Sequence, residues 1–149
     1  MMDKTNNIDS LFNDDIFEHI KILAKEEKTN VINDIKRLEN IQFTEQNEKD
    51  DVVGYINDHN RVVQVSLLMD NLGKYLKLSY SIKTDEDTIN KSEPYLLRWF
   101  VNGRYKICND TIIVYSIFPI LDESLLHKQI SHALLEIWDM DNVINSILK

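Results

Sequence analysis

From Val52 to Ile82 the chain adopts a two-residue hydrophobic period, and this constrains its fold more than any other feature. Val63, Val65 and Leu67 alternate with Gln64 and Ser66, and Leu76, Leu78, Tyr80 and Ile82 alternate with Lys77, Ser79 and Ser81. Successive side chains of a strand point to opposite faces, so each run predicts a strand with one buried and one outward face. The apolar run Val52, Val53, Tyr55, Ile56 predicts another strand ahead of them. Asp58-His59-Asn60 and Asp70-Asn71-Leu72-Gly73 supply turn-forming residues between the three. Strands joined so closely form an antiparallel meander. Further on, Tyr105 to Cys108 and Ile112 to Phe118 flank Asn109-Asp110 and predict a hairpin that Pro119 ends.

Helical spacing brackets these strands. Leu11, Phe12, Ile16, Ile20 and Leu23 form an i, i+4 stripe behind Asp9 or Ser10, which predicts a capped helix over 9–25 after a mobile stretch at 1–8. Thr29 or Asn30 is the expected cap of a second helix bearing Val31, Ile32, Ile35 and Leu38; the polar residues 25–28 leave open two helices or one bent one. Residues 42–51 are polar and read as a loop, opening with a short strand around Ile41 to Phe43. Thr84 to Ser92 reads as an acidic connection, after which Glu93-Pro94 opens a short helix (Tyr95, Leu96, Leu97, Trp99, Phe100) that stops at Gly103. A final helix begins near Asp122 with Leu126, Ile130, Ala133, Leu134 and Ile137 on one face. Its pattern weakens over 139–142 and resumes at Val143. Only 3 glycines and 2 prolines occur in 149 residues, so regular elements should fill most of the chain. The expectation is one α+β domain over 9–149. It has an antiparallel sheet of about five strands, helices mainly on one face, and the order α-βββ-α-ββ-α plus an extra N-terminal helix.

The order of elements resembles the fold shared by type III secretion chaperones and the YbjN-like bacterial regulators, over about residues 30–148. The best local match runs from Leu96 to Ile137: the short apolar helix, Tyr105-Lys106-Ile107-Cys108, Ile112 to Phe118 with Pro119, then a helix followed by Asp139 and Asp141. The resemblance implies a non-enzymatic protein binder, often a homodimer, that serves as chaperone, adaptor or regulator. Pairing through a sheet edge or through the aromatic helix suits such a homodimer.

Charge narrows the partners. The net charge is −8; residues 1–60 carry 14 acidic and 7 basic side chains, and residues 61–149 carry 11 and 10. An acidic domain repels the phosphate backbone, which argues against direct binding of nucleic acid. An acidic face attracts basic partners, and this supports an alternative reading: an inhibitor from a phage or mobile element that blocks a nucleic-acid-binding protein by mimicking phosphate charge. The same charge also serves simple solubility. The lone Cys108 cannot form an internal disulfide, residues 1–7 lack an apolar signal core, and no apolar run is long enough to span a bilayer. A reducing, cytoplasmic, bacterial setting is expected.

Motifs for chemistry are absent. His127 and His132 are five residues apart, about 500° around a helix, so they do not share a face. No HExxH, CxxC or GxSxG occurs, and Gly54, Gly73 and Gly103 lie too far apart for a phosphate-cradling loop. Asp85-Glu86-Asp87 reads as a solvated loop, without the glycine a calcium loop needs. Cys108 reads as a core or half-buried strand-end residue. No catalytic residue, metal or cofactor is therefore assigned, and the chain is not expected to be an enzyme. The candidate partner contacts are Tyr95, Arg98 and Trp99 on the aromatic helix, and Trp138 with Asp139 and Asp141 as a mixed apolar and acidic patch.

Overall fold

The computed structural model describes residues 25–39, 41–46, 51–99 and 104–148; of residues 95–99, 104 and 123 it describes the backbone alone. The predicted helix over 9–25 lies outside the described residues except for its last residue. Helix α1 covers residues 25–36. It is followed by β1 (Gln42–Glu45), β2 (Val52–Asp58), β3 (Arg61–Asp70), β4 (Gly73–Lys83), α2 (Glu86–Trp99), β5 (Arg104–Cys108), β6 (Thr111–Pro119), a 3₁₀ turn (Glu123–Leu125) and α3 (Leu126–Leu148). The fold is α+β, with one six-stranded sheet in the order β1-β2-β3-β4-β6-β5, antiparallel throughout. The sixth strand is β1, the short strand expected near residue 41, which pairs Phe43 with Ile56 along the edge.

Turn chemistry sets the register. His59 and Asn60 both hold positive φ (51° and 67°), the geometry of the two-residue turn whose twist matches a hairpin. The Asn57 side chain accepts the Asn60 amide at 3.1 Å. At the next turn the Asp70 carboxylate accepts the amides of Leu72 (2.8 Å) and Gly73 (3.0 Å). With these registers pinned, Ile56, Val63, Val65, Leu76, Leu78, Ile112 and Val114 fall on one face, and all are fully buried. A bulge between Val52 and Gly54 bends β2 at the end of this row. Gly54 is needed there: a Cβ would sit 2.3 Å from the Thr44 carbonyl oxygen and 2.6 Å from the Phe43 ring.

The three described helices lie on the side of that buried face. Helix α3 contributes Leu126, Ile130, Ala133, Leu134, Ile137 and Ile144, spaced three and four apart, and is continuous through residues 139–142. Each fully buried Ile or Leu contributes roughly 1.5–3 kcal/mol of transfer free energy. Helix α1 packs Val31, Ile32 and Ile35 into the same core. It is also tied to the β3–β4 turn by the Glu27–Lys74 ion pair at 2.8 Å, with Glu27 buried.

Two helix starts differ from expectation. Thr29 does not cap a second helix; it lies inside α1, and its hydroxyl donates to the Lys25 carbonyl at 2.9 Å. Helix α2 begins at Glu86, ahead of the expected Glu93-Pro94 start, because Asp85 caps it: its carboxylate accepts the Thr88 amide and hydroxyl, both at 2.7 Å. Glu86 and Asp87 then occupy the first turn, where carboxylates favour the helix dipole. Pro94 is consequently interior and leaves the Asn90 carbonyl without an i+4 amide. The acidic trio is thus a helix start, not a loop.

Candidate partner-binding face

The two faces of the sheet differ in cover. The helices lie against one; no described helix lies against the other. Strand alternation and the observed pairing place a defined set of side chains on this open face. Tyr55, Gln64, Ser79 and Tyr115 form one cross-strand row, Ser66, Lys77 and Ile117 a second, and Val62, Ser81, Ile113 and Lys106 a third. Leu68 and Tyr75 continue the apolar part towards the β3–β4 turn. Tyr55, Leu68, Tyr75, Ile113, Tyr115 and Ile117 are half-buried, Ser66 is buried, and Val62 is 50% exposed. A shallow depression of about 430 Å³ lies on this face between Tyr55, Val62, Gln64, Ser79 and Ser81.

The electrostatics of this face oppose those of the whole chain. Lys77, Lys83 and Lys106 project from it, and no described carboxylate pairs with any of them. Among the described strand positions on this face the one carboxylate is Asp70, already engaged by two turn amides. The Lys77 ammonium stands 5.0 Å from the centre of the Tyr115 ring, a cation–π contact that holds the charge over the tyrosine. Cys108 is exposed at the end of β5, where a core or half-buried residue was expected; its edge-strand position leaves one flank without a described neighbouring strand.

The sequence-predicted site residues scatter. Tyr95, Arg98 and Trp99 belong to α2, and their side chains are outside the described set. Asp139 is exposed on α3. Trp138 and Asp141 point inward, 8% and 5% exposed, so the mixed surface patch expected at 138–141 is not formed. The Trp138 indole N–H donates to Asp58 Oδ2 at 2.9 Å, the Arg61 guanidinium lies 3.7 Å from the ring centroid, and Tyr80 meets the ring edge-on at 5.3 Å. Asp141 accepts Arg61 at 3.5 Å and Asn145 at 3.1 Å. These contacts fasten α3 to the β2–β3 hairpin. Burial, reinforced by the Asp141 charge and partly opposed by Arg61, holds the Tyr80 phenol above its ordinary pKa.

The open face is not legible in the sequence because each residue on it is ordinary alone. The outward halves of the alternating runs (Gln64 and Ser66; Lys77, Ser79 and Ser81) carry its signal, but only pairing places Tyr55, Tyr115 and Lys106 beside them. Among the described residues no cluster of three His, Cys, Asp or Glu side chains can hold a metal ion, and no helix is long and apolar enough to cross a membrane. No protein-family model and no curated protein matches this chain.

Proposed function

We propose that this chain is a non-enzymatic protein-binding module, an adaptor or chaperone-like regulator, and that it receives its partner on the open face of the sheet. The observation that carries the reading is the sheet face against which no described helix lies. It holds three tyrosines and four branched aliphatic side chains in adjoining rows, flanked by lysines that no described carboxylate pairs. Aromatic side chains give large contact area at low entropic cost, and contiguous apolar surface of this kind marks interaction sites. The depression on the face is shallow, and its described lining holds Tyr55, Tyr80 and Arg61 but no carboxylate, histidine or cysteine to serve as a general base near neutral pH. The inhibitor reading rests instead on the acidic residues of 1–60, of which 1–24 and 47–50 lie outside the described residues.

The test uses the affinity-tagged chain in extracts of its native host, with Val62→Asp and Tyr115→Ser as paired variants and circular dichroism to verify folding. A partner that is captured by the native chain, lost with both folded variants, and bound again as a purified protein supports the proposal. A partner retained by both variants, or none at all, removes it.

A further inference from the structure

The charge pattern of the open face points to the chemistry of its occupant. Resting on the binding-module reading, we infer that the face receives an acidic polypeptide segment whose carboxylates are separated by apolar or aromatic residues. The chain as a whole is −8, yet its described open-face positions hold three unpaired lysines and a single, already engaged carboxylate. The described Lys and Arg ion pairs, at Lys74, Arg61 and Arg37, all lie on the helical side, where Lys25, Lys36 and Lys128 also stand without one. An acidic protein that keeps carboxylates off one apolar face and leaves its lysines unmatched there is complementary to an anionic partner.

Spacing selects the kind of anion. Lys77 and Lys83 are six residues apart on β4, about 20 Å at strand rise. Lys106 shares a row with Ser81 and Ile113, two strand spacings or about 10 Å across the sheet from β4. Ile113, Tyr115 and Ile117 fill the strand between. An extended polypeptide can match this pattern, because it can place carboxylates several residues apart with apolar side chains between them. Nucleic acid carries a charge about every 3.4 Å along each duplex strand, far denser than these cations, and the net charge of the chain repels it. A second copy of this face would set lysines against lysines, so a face-to-face homodimer is disfavoured.

The experiment measures fluorescence anisotropy with three labelled probes. One is a peptide of about a dozen residues with two Glu or Asp about six positions apart and Ile or Phe between them, long enough to span Lys77 to Lys83 when extended. The second replaces its acids with lysine, and the third is an oligouridylate of equal length. The acidic peptide should bind, lose affinity about tenfold in K83E/K106E and in K77Q/K83Q/K106Q, and weaken with added salt. It should also shift the backbone amide resonances of β4, β5 and β6. Equal binding of the lysine peptide, stronger binding of the oligouridylate, resonance shifts elsewhere, or no binding by any probe overturns the inference. If a host partner depends on Val62 and Tyr115 while no lysine variant affects it, the binding-module reading stands and this inference fails. If no partner depends on the face, both fail.

Discussion

Trp138 separates an internal fastening from an interface anchor, and its energetics follow from its contacts. Replacement by Phe removes the indole N–H that donates to the Asp58 carboxylate at 2.9 Å and shrinks the ring beneath Arg61. A hydrogen bond to a charged group contributes about 1.5–3 kcal/mol, and the smaller ring loses part of the packing with Tyr80 and the cation–π contact, about 0.5–1 kcal/mol more. The expected destabilisation is therefore about 2–4 kcal/mol by urea unfolding. Asp58→Ala removes the other end of the bond. If the indole–carboxylate contact carries most of the loss, the two substitutions are coupled by about 1.5 kcal/mol in a double-mutant cycle. Additivity within about 0.4 kcal/mol would refute this account. So would a Trp138→Phe protein of native stability that has lost its partner, since that outcome makes Trp138 a contact residue.

Other outcomes follow from the same structure. Gly54→Ala should cost about 1–3 kcal/mol, because the Thr44 carbonyl and the Phe43 ring must both retreat from the new methyl; an unchanged urea midpoint would contradict it. Hydrogen bonds from the Thr88 amide and then its hydroxyl hold the Asp85 carboxyl below the usual carboxylate range. Its stabilising effect is then fully present above the unfolded value and is lost as pH falls through the depressed folded value. Asp85→Ala should accordingly lower the thermal midpoint at neutral pH, and the gap should close in strong acid; a gap that persists there would refute the cap. Sedimentation at high micromolar concentration tests the proposed homodimer through a sheet edge or α2, and a monomer would withdraw it.

Much of the architecture was legible in the chain. Alternation at 63–67 and 76–82 assigned strands β3 and β4 and their buried faces, and the i, i+3, i+4 spacing from Leu126 to Ile137 assigned α3 and its apolar stripe. These elements are local: a strand or helix that buries one face must repeat its apolar residues at the period of its backbone. The start of α2 was masked because Asp85, Glu86 and Asp87 look alike in a sequence whether they line a loop or cap a helix. Only the position of Ile89, buried against the core, ties that first turn to the rest.

Function-bearing surfaces divided along the same line. From its sequence alone this protein is legible as an acidic α+β chain without a metal, phosphate or nucleophile motif, because composition and motif spacing are properties of the chain itself. Where Trp138 and Asp141 point was decided by tertiary structure: their burial depends on Arg61, Tyr80 and Asp58 arriving from strands some 60–80 residues earlier. The open tyrosine and lysine face was decided the same way. Its rows unite residues from β2 to β6, and cross-strand neighbours are set by register, which no single segment contains.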